Sequence, residues 1–239
     1  LGELAEWIGG LEAALPANDW LVAEPVAADL TQRIHRLLEV GLGYLTLERG
    51  TPSLAAGEAQ RLRLAALLGS GLTGVLYVLD EPTIGLHGRD TPRLVRMLRA
   101  LRDLGNTVLV IEHDLEMIGS ADWVVDFGPG GGRYGGQVVA EGTPAQVAAN
   151  PESVTGRYLS GAAQIAIPAV RRHSDGPYLT VHGATEHNLK DVTARFPLRA
   201  AGGAAGMFVA MTGVSGSGKS TLMFDILDRA ARRRFSGAS

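Results

Sequence analysis

The chain has 239 residues, 46% of them hydrophobic and 20% charged, with a formal net charge of -3 and no cysteine. That balance belongs to an ordinary folded chain: it excludes disulfides and cysteine-ligated zinc within the segment, offers no apolar run of the roughly 20 residues a bilayer requires, and shows no bulk basic surface for nucleic acid. The first residue is Leu1 rather than Met and no secretory leader follows, so residue 1 is expected not to be a natural start.

Taken in chain order, Leu4, Ile8, Leu11 and Leu15 fall on one helical face, and Val26, Leu30, Ile34 and Leu37 do the same before Gly41. Residues 75–79 form a short branched apolar run, suited to a strand buried on both faces. A second such strand is predicted over 107–111. The helix between them has Thr91 as cap, Pro92 in its first turn, Leu94, Leu98 and Leu101 on its core face, and Gly105 to close it. Strand, helix, strand implies a parallel crossover. The glycine-rich stretch 126–136 reads as a loop with turns, since no helix start follows that could make it a phosphate cradle. Residues 162–177 read as a linker. Strands are then predicted over 178–181, 192–196 and 207–211, with a helix from about Lys219 onward.

Three motifs carry chemistry. Gly213-Val214-Ser215-Gly216-Ser217-Gly218-Lys219-Ser220, followed by Thr221, fits G-x-x-x-x-G-K-[ST] between a predicted strand and an amphipathic helix with Leu222, Met223, Ile226 and Leu227 inward. Glycines let main-chain amides close around phosphate oxygens, the helix start adds its positive dipole end, Lys219 reaches the outer phosphates and Ser220 ligates magnesium. The apolar run 75–79 ends in Asp80-Glu81-Pro82. There Asp80 can hold magnesium at the carboxyl edge of a parallel sheet, and Glu81 can orient or deprotonate a water. The neighbouring strand ends in Glu112-His113-Asp114, where His113 can contact a terminal phosphate. His35, His173 and His182 are read as structural.

These motifs, with Leu54-Ala55-Ala56-Gly57-Glu58-Ala59-Gln60-Arg61, resemble the Walker A, signature, Walker B and switch of ABC-type ATPases. The runs 69–82, 84–87, 101–107, 125–130 and 155–161 resemble the UvrA family of bacterial nucleotide-excision repair. The phosphate loop follows the switch instead of preceding the signature. The resemblance explains this as two tandem cassettes: residues 1–161 close the first, 162–177 link, and 178–239 open the second. It implies a mixed α/β, P-loop ABC-type fold with a mainly parallel core and an antiparallel subdomain before the phosphate loop. It also implies ATP and Mg2+ as cofactors and an ATPase that is not itself the nuclease. Damaged duplex DNA and a UvrB-like subunit are its implied partners, with a homodimer, a cytoplasmic location, the SOS response and no membrane. Cassettes of this type pair head to tail, so Gly213–Ser220 would share one ATP site with the signature residues Leu54, Ala55, Ala56, Gly57, Glu58 and Gln60. Asp80, Glu81 and His113 would serve the other. Cysteine-ligated zinc modules are expected outside this chain, and the segment alone is expected to be marginally stable.

One departure matters. The family usually has Ser-Gly-Gly-Glu where this chain has Ala55-Ala56-Gly57-Glu58. A lost hydrogen bond to a charged group costs roughly 1.5–3 kcal/mol, which is about 10- to 100-fold in affinity or rate. If Ala56 needs a positive φ, strain adds about 1–2 kcal/mol. Slow turnover is therefore expected. A zinc-less relative associated with resistance to DNA-binding drugs, or a catalytically weak nucleotide-binding module, stands as the alternative, and a membrane-transporter cassette fits the sequence less well. Arg232, Arg233 and Arg234 are read as a solvated helix end rather than a phosphate contact.

Overall fold

The computed structural model describes residues 1–203 and 206–236, the side chains of Ala56 and Ser236 apart. The chain divides into two compact units, residues 1–164 and 165–239. In the first, α1 (Gly2–Gly9) and α2 (Leu11–Ala14) break at Gly10 and pack on α3 (Ala17–Glu39), burying Ile8 against Ala27 and Ile34. The core stripe of α3 is therefore not wholly the one the spacing suggested. Val26 and Leu30 are exposed, while Trp20, Ala27, Ile34 and Leu38 meet α1 and α2.

The central module follows the predicted order: α4 (Ala56–Gly69), β1 (Leu76–Asp80), α5 (Thr91–Asp103) and β2 (Thr107–Ile111). β1 and β2 are parallel, with Leu76 opposite Thr107 and Asp80 opposite Ile111. Leu94, Leu98 and Leu101 of α5 are buried with Leu64 of α4 and Tyr77 of β1. The cap of α5 is Asp90 rather than Thr91; Thr91 is the first helical residue and is buried. β1 is covered on one face only, because Leu76 and Val78 point away from the helices and remain exposed. Asn106 pins the module together. Its buried carboxamide donates to Leu72 O and Leu101 O at 3.0 and 2.9 Å and accepts from Val75 N–H at 3.0 Å.

Beyond α6 (Leu115–Gly119), β3 (Val124–Gly128) and β4 (Gln137–Gly142) form an antiparallel hairpin whose turn is the glycine-rich stretch. α7 (Pro144–Ala149) and α8 (Val154–Leu159) close it. Asp126 accepts the hydroxyls of Ser153 and Thr155 at 2.6 and 2.8 Å, which joins two sequence runs almost 30 residues apart.

In the second unit, β5 (Tyr178–Ala184) and β6 (Val192–Pro197) pair antiparallel, with the Arg195 guanidinium 4.3 Å from the Tyr178 ring centroid. The strand predicted over 207–211 does not form. Gly206 bridges Arg199, but 207–211 pairs with no strand among the described residues, and Phe208 is exposed. An extended segment becomes a strand only when a neighbour takes up its N–H and C=O groups. The predicted helix has wide π-type turns over Thr221–Asp228, continuing as α9 (Arg229–Ser236). Of its expected inward residues, Leu222 is buried and Met223 is exposed. No described helix is long and apolar enough to cross a membrane.

Candidate functional site

The phosphate loop is shaped by its glycines. Gly213, Gly216 and Gly218 have φ of +146°, +78° and +93°, values that side chains resist. Ser217 N–H bonds Val214 O at 3.2 Å, and Leu222 N–H bonds Gly218 O at 3.0 Å as the helix starts. Lys219 is half-buried, and its ammonium lies along the loop, 2.7 Å from Gly213 O and 2.9 Å from Val214 O. The Ser220 side chain is exposed beside it.

The β5–β6 connection braces this loop, and no sequence motif had pointed to it. Asn188 donates its amide to Gly216 O at 2.8 Å. A Cβ on Gly218 would come within 2.7 Å of a Leu189 methyl and 3.0 Å of Asn188 Oδ1, so only glycine allows this contact. His187 Nδ1 lies 3.3 Å from Thr221 Oγ1 and 3.8 Å from Asp225 Oδ2. His187 and Asp191 both adopt positive φ, +51° and +52°. Such backbone cost concentrates at ligand clamps and switches. A loop that must aim its amides inward needs its carbonyls held outward, and Asn188 holds one of them.

In the first unit, the parallel strands bring the three candidate side chains Asp80, Glu81 and His113 to one edge. Asp80 ends β1 with an exposed carboxylate. Glu81 follows at φ +44°, its N–H bonded to Ile111 O at 2.8 Å. His113, 82% exposed at its side chain, places Nε2 3.3 Å from Glu81 Oε1. Glu112 was not singled out by sequence, being one letter ahead of the histidine. Its carboxylate accepts N–H groups from Thr83, His113 and Asp114 at 2.8, 2.9 and 3.2 Å. Burial pushes its pKa up, but the Thr83 side chain and the backbone N–H groups of Asp114, His113 and Thr83 outweigh that and hold it below the ordinary glutamate range.

The signature segment begins α4. Leu54 packs against the main core and Ala55 is the N-cap, at φ -63° and ψ 153°. Ala56 is the first residue of a right-handed helix, so the strain a positive φ would bring does not arise there. With no hydroxyl at Ala55, only half of a capping box exists: Glu58 reaches back to Ala55 N–H at 2.8 Å. Glu58 is buried and also accepts Tyr44 Oη–H at 2.6 Å and faces Arg49 at 3.2 Å. Arg61, likewise buried, spans Gly57 O, Val40 O and Gly41 O. Burial, then the Glu58 bond, pushes the Tyr44 phenol up to about 12. Gly57 lies against the turn that follows Pro82, where a Cβ would sit 3.4 Å from Gly85 O, an ordinary contact distance. Gln60 is half-buried one residue before Arg61.

Magnesium takes hard oxygen ligands, usually one or two from protein with water and phosphate completing the shell. Asp80 and Ser220 are oxygen donors of that kind, both exposed. Among the described residues no cluster of three or more His, Asp or Glu side chains could hold a metal by itself.

No protein-family model matches the chain. It is 52% identical over 236 residues to UvrABC system protein A of Thermus thermophilus, covering 99% of this chain and 24% of that protein. To the protein of the same name from Methanothermobacter thermautotrophicus it is 55% identical over 222 residues, covering 93% and 22%. The crystal structure of UvrA2 from Deinococcus radiodurans superimposes with a TM-score of 0.87 at 42% identity, over 98% of this chain and 29% of that one. The chain spans about a quarter of the length of the curated relatives it matches.

Proposed function

This chain belongs to the UvrA family and has the P-loop ABC-type ATPase fold, and from that premise we propose that the complete protein hydrolyses ATP to recognise damaged duplex DNA and load a UvrB-like subunit in nucleotide-excision repair. Residues 1–161 then close one cassette, 162–177 link, and 178–239 open a second; the working form is a cytoplasmic homodimer.

The observation that carries the reading is the pairing of Glu81 with His113 at 3.3 Å on the carboxyl edge of two parallel strands, beside Asp80. A carboxylate there accepts a proton from an attacking water, and the neighbouring imidazole donates to a terminal phosphate oxygen. In the phosphate loop, Lys219 and main-chain amides of the glycine-rich turn would bind the outer phosphates, while Ser220 and Thr221 open the helix beneath them. Asp80 in one ATP site and Ser220 in the other would hold magnesium, which neutralises phosphate charge when bound.

Turnover and nucleotide-dependent DNA binding by the full-length protein test this. Glu81→Gln should still bind ATP and lose about 100-fold or more in turnover. Unchanged turnover in that variant, or equal affinity for damaged and intact duplex, would refute the reading.

Ala55 favours a second feature: a signature site of reduced activity. A serine at this N-cap would satisfy a first-turn N–H and present a hydroxyl to phosphate. Ala55→Ser should raise stability by about 0.5–2 kcal/mol and raise turnover. Turnover at or below wild type would show that the alanine is not what limits it.

A further inference from the structure

Glu112 joins the two segments that carry Glu81 and His113. Its Oε1 accepts Thr83 N–H, two residues past Glu81, at 2.8 Å. Its Oε2 accepts the N–H groups of His113 and Asp114 at 2.9 and 3.2 Å. All three N–H donors are backbone groups, one following β1 and two following β2, and the Thr83 side chain bonds the same carboxylate. A second tie, Glu81 N–H to Ile111 O at 2.8 Å, lies on the strand side of the first. The Glu81–His113 contact lies between these same two segments.

The His113 side chain is 82% exposed, so packing does not fix it. What fixes its backbone is Glu112 on one side and Asp114 on the other, the latter capping α6 through Met117 N–H at 2.9 Å. Thr83 likewise sits in a turn rather than in the sheet. Free of Glu112, the turn and the loop would each move about their strand ends, and the distance between the Glu81 and His113 side chains would no longer be set.

We propose that Glu112 is a positioning residue for ATP hydrolysis: its carboxylate straps the turn after Glu81 to the loop of His113 and holds the two reacting side chains in register. The assignment rests on the proposed role of Glu81 and His113 in ATP hydrolysis. The strap needs a carboxylate, because both oxygens must accept. Glutamine offers one accepting oxygen and one NH2 group, and the NH2 would confront either Thr83 N–H or the N–H pair of His113 and Asp114. One side of the strap must then open. Aspartate keeps both acceptors but is one methylene too short to reach both sides.

The test uses the full-length protein with Glu112→Gln, Glu112→Asp, His113→Ala and the double variant Glu112→Gln/His113→Ala. Asp122→Asn, which loses only an exposed pair with Arg102, is the control. Steady-state turnover is measured beside amide hydrogen exchange at Thr83 and Asp114. The two Glu112 single variants should lose about tenfold in kcat, with KM for ATP within about twofold of wild type. The double variant should turn over no more slowly than His113→Ala alone, and the Thr83 amide should exchange faster in Glu112→Gln. A variant that merely loosened the fold would lower the melting temperature and add its loss to that of His113→Ala. Wild-type kcat in Glu112→Gln, a loss confined to KM, additive losses in the double variant, or unchanged exchange at Thr83 each overturns the assignment. Should Glu112→Gln prove too unstable to assay, Glu112→Asp decides between the same outcomes. A wild-type protein that turns over no ATP would sink the functional reading, while the exchange arm would still report on the strap.

Discussion

Around Asp80, Glu81 and His113, backbone position is set by groups inside the first unit: Asn106 with three hydrogen bonds at the far end of the strands, and Glu112 with three more at the near end. Around Lys219 the loop leans in part on the lysine that is to bind ligand. The exposed Asn188 amide holds one loop carbonyl, Ser217 N–H bonds a second, Val214 O, and the lysine itself bonds that one and Gly213 O. The contrast separates two tasks. Groups that move protons must stand in register before substrate arrives, since a small misplacement costs rate steeply. A loop that grips a polyanion can take its final shape from the ligand, because the charge it binds supplies the ordering energy.

The contrast makes different predictions for the two regions. The largest expected effect is on stability: Asn106→Ala removes three bonds and strands a backbone N–H and two carbonyls, costing about 3 kcal/mol by denaturant unfolding. A loss below about 1 kcal/mol would show that the anchor is not structural. Next is Lys219→Ala, which should lower ATP affinity about 10- to 100-fold by calorimetry and leave the melting temperature unmoved. A comparable loss of stability would erase the distinction between the regions. Asn188→Ala should weaken ATP about two- to tenfold. No change in affinity would mean the brace does not shape the loop. Smallest is an alkaline effect at the start of α4. The Tyr44 pKa is raised to about 12, so its stabilising contribution is complete below pH 10 and lost as pH climbs through 12. Unfolding midpoints of wild type and Tyr44→Phe should converge over that window; a constant gap would contradict it.

Much of the first unit was legible because local signals agreed. Leu94, Leu98 and Leu101 at helical spacing, Pro92 at the start and Gly105 at φ +88° point to the same helix, and that helix lies between two parallel strands. What stayed hidden was set by tertiary neighbours. Nothing in a run of apolar letters says that Leu76 and Val78 face outward while Tyr77 faces in. In α3, two stripes compete, and α1 chooses Ala27 over Val26. The run 207–211 has strand-forming letters, but pairing depends on what lies beside it. Of the candidate site, the motifs name the side chains that the structure brings together, Glu81 and His113 among them. They do not name the supports, because Glu112 and Asn188 act through backbone donors and acceptors that no side-chain pattern records.

The Lys219 ammonium, bonded to two carbonyls of its own loop, has one further consequence. A ligand entering there competes with an internal partner that is already in place. Adenosine brings no anion to draw the cation away, and a monophosphate brings only a little. A triphosphate brings enough negative charge to turn the lysine outward and free both oxygens together. On the proposed reading, the loop's own chemistry would therefore screen nucleotides by phosphate number before Glu81 or His113 takes part.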